Sequence, residues 1–286
     1  MLSFFLIALL FFSEITQYSF LKLNMKKDNM SKNKLVENVQ LYEPRTTNQR
    51  NYLNCLDNLD INLLIADGPA GCGKTLFACQ KSIDLLKNNI INKIVITRPL
   101  VTVEEEIGFL PGNFIEKMDP WTKPIIDIFL EYYSANDIKY MIHNNIIEIC
   151  PLAFMRGRTF KNCYIIADEM QNCTPNQMKM ITTRIGINCK MVVTGDINQS
   201  DLKGENGFYD FIKRYDNYNK VNQDNSTIKV ITLDKNDIHR SLVTIQVLNI
   251  YNFYEEKENL IKTIKPINFD EFYKSKPKSN NNANLG

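Results

Sequence analysis

Short apolar runs alternate with amphipathic stretches along most of the chain. Ile61–Ala66, Lys93–Thr97, Asn145–Cys150, Cys163–Ala167, Lys190–Thr194 and Ile228–Leu233 are near-continuous apolar segments of strand length. Such runs suit strands buried on both faces. Between them Leu76, Phe77, Ile83, Leu85 and Leu86 recur at helical spacing, as do Ile125, Ile126, Ile128, Phe129 and Tyr132. Asp119-Pro120 reads as the N-cap and first residue of that second helix, and Thr174-Pro175 as the start of another over Asn176–Thr183. Gly207-Phe208-Tyr209 opens a further helix, and Asp237 is expected to cap a last one carrying Val243, Ile245, Val247 and Leu248. A short helical pattern beginning at Gln49 precedes the first strand. The alternation predicts an α/β domain with a doubly wound, mainly parallel sheet of five or more strands.

The ends of the chain break this rhythm. Met1–Phe12 is almost wholly apolar, too short to span a bilayer comfortably and without a basic n-region or a clear small-residue cleavage site. It reads as a targeting or anchoring segment, or as an extension without function, with Met25 or Met30 as alternative starts. Residues 25–40 are polar, and residues 274–286 are rich in Lys, Ser and Asn. The organisation expected is therefore 1–40 as apolar segment and linker, 41–256 as one domain, and 257–286 as a polar tail. A formal charge of +2 announces no global field for nucleic acid or membrane, so any such site must be a local patch. The seven cysteines form no C-x-x-C pair and fall mostly in predicted elements, which reads as reduced, buried thiols. Two histidines leave no His-rich metal site.

The chemistry lies where the apolar runs end. Gly68-Pro69-Ala70-Gly71-Cys72-Gly73-Lys74-Thr75 is a full G-x-x-x-x-G-K-[ST] match, set between a predicted strand and the helix opening at Leu76. Its backbone N–H groups would cradle phosphate oxygens, Lys74 would reach the β- and γ-phosphates, and Thr75 would bind Mg²⁺. Cys163–Ala167 runs into Asp168-Glu169, a Walker B arrangement in which Asp168 would hold Mg²⁺ and Glu169 would orient the attacking water. Gly195-Asp196 and Gln199 follow the next strand, where they could sense the γ-phosphate. Arg98 ends another strand, on the ligand side of an open sheet. Arg156-Gly157-Arg158-Thr159, with Lys161 and Arg184, offers contacts to phosphates or a nucleic-acid backbone, or else a solvated face. Glu104-Glu105-Glu106 and Gly108-Phe109-Leu110-Pro111-Gly112-Asn113 read as an ordered turn or lid, or as a plain loop.

Taken together these residues resemble the PhoH family. Its Walker A is matched with Cys72 where Thr is usual. Arg98-Pro99, Gly108–Gly112, Glu116-Lys117, Asp119-Pro120, Pro151-Leu152-Ala153, Arg156–Thr159, Asp168–Asn172, Gln177–Met180, Thr183-Arg184 and Gly195–Gln199 are similar to its further blocks. Cys72, Met170 and Trp121 depart from the usual pattern without removing a phosphate or metal ligand. The resemblance covers about residues 45–255 and implies a RecA-like P-loop NTPase core akin to the first motor domain of superfamily one helicases. It implies ATP and Mg²⁺ as cofactors, a cytoplasmic protein and a ring of like copies, with no stable membrane partner; the apolar N-terminal segment leaves targeting open. It also implies Gln49 as an adenine-reading residue and Arg240 as an arginine completing a site, its own or a neighbour's. Arg98, Arg158 or Arg240 would neutralise charge in the transition state. Three activities follow as expectations: ATP hydrolysis, its coupling to RNA or single-stranded DNA, and a nucleotide-dependent switch that recruits a protein.

Overall fold

The computed structural model describes residues 41–99, 114–202, 204–222 and 227–239, with helical positions Val243, Thr244, Gln246, Val247 and Ile250 beyond them. Residues through His239 form one compact unit, and Arg240 onward form a second. The N-terminal segment, the Glu104–Asn113 block, Arg240 and the 257–286 tail lie outside the described residues.

The apolar runs become strands β1 (Leu63–Asp67), β2 (Lys93–Thr97), β3 (Ile147–Ile149), β4 (Cys163–Ala167), β5 (Cys189–Gly195) and β6 (Ile228–Thr232). All six are parallel, in the order β3-β2-β4-β5-β1-β6. The expected α/β architecture, a parallel sheet with helices on both faces, is the one observed. β1, β4 and β5 are buried along their whole length, which is why their sequences are continuous rather than alternating.

Alternate strand residues supply two cores. Leu64, Ala66, Ile94, Ile96, Ile166 and Val192 face one side. There they meet α1 (Thr47–Asp57), α2 (Lys74–Lys87), α3 (Phe114–Leu130) and α4 (Ala135–His143). Ile65, Val95, Ile165, Met191 and Val193 face the other, against α5 (Pro175–Thr182) and α6 (Gly207–Val221). Thr174 caps α5 in a full capping box with Gln177, as its Thr-Pro start predicts. No helix among the described residues is long and apolar enough to cross a membrane. All seven cysteines are free; Cys163 and Cys189, opposite one another on β4 and β5, have their sulfurs 3.5 Å apart.

Two helix expectations need correcting. α3 starts at Phe114 and not at Asp119, so Pro120 and Pro124 lie inside it and that helix forgoes two backbone donors. Asp237 closes a 3-10 turn, Lys235–Asp237, and its carboxylate accepts from the Asp234 N–H of that turn and from Asn48 at the start of α1.

Candidate nucleotide-binding site

The C-terminal ends of β1, β4 and β5 lie side by side, so the segments that follow them converge on one cleft of about 300 Å³. Gly68–Gly73 link β1 to α2 and form one wall. Gly73 has φ +92°, and a Cβ there would stand 2.8 Å from the Phe77 ring; only glycine lets the chain enter α2 at this angle. At Gly68 a Cβ would stand 2.7 Å from the Leu233 carbonyl oxygen, because the strand end of β6 crosses directly against the loop.

Lys74 lies across this loop. Its Nζ donates to the carbonyls of Gly68 at 2.5 Å and Pro69 at 2.9 Å, with the Cys72 sulfur at 3.6 Å. Thr75, next along, donates its hydroxyl to Asp168 Oδ1 at 2.7 Å. The same carboxylate oxygen accepts from Thr194 of β5 at 2.6 Å. Thr194 is a site residue that the motifs alone do not mark. The signal for it is its place one step before Gly195-Asp196 at a strand end.

Asp168 is buried and Glu169 is 44% exposed at its side chain. Glu169 has φ +54°, an uncommon conformation for a long side chain and one that concentrates at functional sites. Its two oxygens are held separately, one by Arg98 at 3.1 Å and the other by Gln171 Nε2 at 2.6 Å. Arg98 also lies 3.5 Å from Asp168 Oδ2. Gln171 reaches on to β5, its Oε1 accepting from the Asp196 N–H at 3.2 Å. Asp196 and Gln199 line the cleft with the loop and the two acids. Asp67, at the end of β1, accepts from the Ile197 N–H at 3.1 Å, and burial pushes its carboxyl above the ordinary value.

The donor set fits Mg²⁺. Thr75 and Asp168 offer one hydroxyl and one carboxylate, both hard oxygens, at a single point. Among the described residues no group of three His, Cys, Asp or Glu side chains could hold a metal alone. A cation here would take its remaining ligands from water and phosphate, which is how Mg²⁺ is usually bound.

The remaining candidates are placed elsewhere. Gln49 is 3% exposed, with Nε2 donating to the carbonyls of Cys72 and Asp237 and Oε1 accepting from the Arg45 N–H. Its amide is spent on backbone, so reading adenine would require it to surrender one of those carbonyls. Arg158 is committed to Glu148 at 2.6 Å and lies over the Phe160 ring at 4.5 Å. Burial pushes the Glu148 carboxyl up, but hydrogen bonds from Arg158 and Lys93 outweigh it and hold the group below its ordinary value. Arg184 donates to the Met180 and Arg158 carbonyls, holding the end of α5. Neither arginine lines the cleft. Arg156 is exposed on the turn that follows the 3-10 helix Leu152–Met155.

A family model described as PhoH-like protein matches residues 42–252. A PhoH-like protein of Bacillus subtilis is 37% identical over 80% of this chain and 69% of its own length. One from Synechocystis is 42% identical over 57% of this chain and 49% of its own. Protein PhoH of Escherichia coli K12 is 35% identical over 73% and 57%. The chain thus spans between about half and two thirds of the length of these curated relatives. Among solved structures, the Pyrococcus furiosus Hef helicase domain is similar at a TM-score of 0.39 and 13% identity, over 68% of this chain and 38% of that one. The Sulfolobus solfataricus SWI2/SNF2 ATPase core in complex with dsDNA gives 0.35 and 18%, over 55% and 34%.

Proposed function

Since the chain belongs to the PhoH-like protein family, we propose that this nucleotide-binding protein is a Mg²⁺-dependent ATPase, with its site between Gly68–Thr75 and Asp168-Glu169. The observation that carries the reading is the meeting of Thr75 Oγ1 and Asp168 Oδ1 at 2.7 Å, with a half-exposed carboxylate, Glu169, next in the chain.

Mg²⁺, when bound, supplies positive charge shared between phosphate oxygens and the protein. Thr75 and Asp168 would hold it, and Thr194 keeps Asp168 oriented. Lys74 gives up the Gly68 and Pro69 carbonyls to reach the phosphates, exchanging neutral acceptors for charged ones. Glu169 accepts a hydrogen bond from the attacking water, with Gln171 and Arg98 fixing its direction. Arg98 stays at the cleft edge as charge that offsets the developing negative oxygens. Catalysis is then positional and electrostatic, with little covalent work for the protein.

A second reading, coupling to RNA or single-stranded DNA, is favoured by Arg156 and by Phe154. Both are exposed after β3, Phe154 by 60% on the 3-10 helix Leu152–Met155 and Arg156 on the turn that follows it, at the same end of the sheet as the cleft. A ring in which Arg240 completes a neighbouring copy's site is the assembly this reading expects. A nucleotide-dependent switch without motor activity is the alternative. ATP turnover, measured for the whole chain with and without Mg²⁺ and with single-stranded RNAs and DNAs, separates these. Mg²⁺-dependent turnover is expected, stimulated by a polymer with steep salt dependence. A Lys74→Ala protein that hydrolyses ATP at the normal rate would sink the ATPase assignment. Slow turnover with ATP-dependent capture of a protein and no polymer effect would favour the switch.

A further inference from the structure

The phosphate loop is tied from outside by two segments far apart in sequence. From α1, Gln49 Nε2 donates to the Cys72 carbonyl at 3.1 Å, inside the loop, and lies 3.8 Å from where a Gly73 Cβ would be. From the end of β6, Leu233 packs on Gly68 and its N–H donates to the Asp67 carbonyl at 2.8 Å. The His239 N–H donates to the Gly71 carbonyl at 3.2 Å. The two segments are also joined to each other. Gln49 Nε2 donates to the Asp237 carbonyl at 3.1 Å, Thr46 Oγ1 donates to the fully buried Asp237 carboxylate, and Asn48 donates to its other oxygen at 3.0 Å. Tyr52 of α1 adds a bond to the Lys74 carbonyl at 3.0 Å.

These bonds use carbonyls. A loop that cradles phosphate must aim its N–H groups inward, and binding its carbonyls from outside holds the peptide planes in that sense. A glutamine amide has two donors, and both are taken here by backbone oxygens. The nucleobase is offered neither of them.

We infer that Gln49 is a positioning residue that braces the phosphate loop for any nucleoside triphosphate, and that it does not select adenine. The inference rests on the nucleotide-binding reading above. It also assigns Leu233–His239 to the loop's support.

The test compares ATP, GTP and base-free inorganic tripolyphosphate, each with Mg²⁺, by calorimetric titration of the full chain and of Gln49→Met. Methionine keeps the length and removes both donors. All three ligands should weaken by the same factor, about tenfold for the loss of one to two ordinary hydrogen bonds, leaving the ATP:GTP ratio unchanged. Urea unfolding without ligand establishes that the variant is folded during titration; if it is not, Gln49→Glu, which also lacks the donors, carries the same comparison. A selective loss of ATP with tripolyphosphate unaffected would identify an adenine reader and overturn the brace. Unchanged affinity for all three would overturn it as well. A wild-type chain that binds none of the three would overturn the nucleotide-binding reading itself, a result distinct from either.

Discussion

Lys190 gives the most direct check on how the core under the site is held. It lies on β5, 5% exposed, and its Nζ donates to the Cys55 and Asn58 carbonyls at 2.8 and 2.7 Å, at the C-terminal end of α1. Burial holds its ammonium down to about 8, and the charge of Lys81 acts in the same sense against Cys55 and Asp57. The sign depends on which state holds the proton. Between pH 8 and the ordinary lysine value of about 10.4, the unfolded chain keeps a proton that the folded chain has lost, so stability rises with pH. Integrated from about pH 7.5 to about pH 9.5, the gain is about 2 kcal/mol. Lys190→Met removes the titrating group while keeping its length. Tyr52, Tyr164 and Cys79, whose burial raises their values and so costs stability at high pH, are present in both proteins and cancel in the difference. Urea unfolding of both proteins across this range should show the difference, wild type minus variant, growing in favour of wild type by that amount. A constant difference would mean that the two carbonyls and the helix end fully offset burial, and would refute the argument.

Glu169→Gln keeps the shape of the side chain and should leave ATP affinity within about threefold while slowing turnover by roughly 10²–10⁴-fold, the usual range for a positioned base; full activity would remove Glu169 from the mechanism. Arg158→Leu should leave polymer-stimulated turnover intact but destabilise the fold by about 1–3 kcal/mol, because Glu148 loses one of its two cationic partners. Arg156→Ala should do the reverse, lowering stimulation without changing the melting temperature, and equal stimulation in the two variants would count against a polymer contact at this turn. Gly73→Ala forces a Cβ onto Phe77 at φ +92° and should cost about 1–3 kcal/mol, read as lost ATP affinity or as a lower melting temperature; unchanged values of both would contradict the steric argument.

Strands and phosphate loop were legible because each is a local signal. A strand buried on both faces must be apolar throughout, and a loop that turns at φ near +90° must use glycine, as Gly71 and Gly73 do. The order of the strands was not legible, since no run carries a mark saying which neighbours it will pair with. The start of α3 was misread for a related reason: a proline marks a lost donor but not whether the helix accepts that loss. Arg158 and Arg184 looked like free cations because their partners, Glu148 and the Met180 carbonyl, become partners only in the fold. Asp237 looked like a cap for a helix on its C-terminal side. Its carboxylate instead serves Thr46 and Asn48, 191 and 189 residues upstream.

Once these placements are known, the cleft divides into a fixed side and a responsive side. The phosphate loop is held by α1 and by Leu233–His239 through main-chain carbonyls, and none of those bonds involves a group that changes charge when phosphate arrives. The opposite wall is built from side chains in two chains of hydrogen bonds between the ends of β4 and β5. One runs from Thr75 through Asp168 to Thr194, and the other from Glu169 through Gln171 to the Asp196 N–H. Thr75 can offer its hydroxyl oxygen to a cation while its O–H still donates to Asp168, so a cation here is compatible with both hydrogen bonds on that carboxylate oxygen. Gln171 likewise joins the Asp196 N–H after β5 to Glu169, which is held at an uncommon φ. The side-chain wall thus joins the ends of β4 and β5, whereas the loop is joined to α1 and to Leu233–His239. α6 comes after that strand, and its N-cap residue Asn206 precedes Gly207, whose N–H donates to the Cys173 carbonyl beyond β4. The β5–α6 connection is accordingly the route by which a displacement of the β5 end would reach α6.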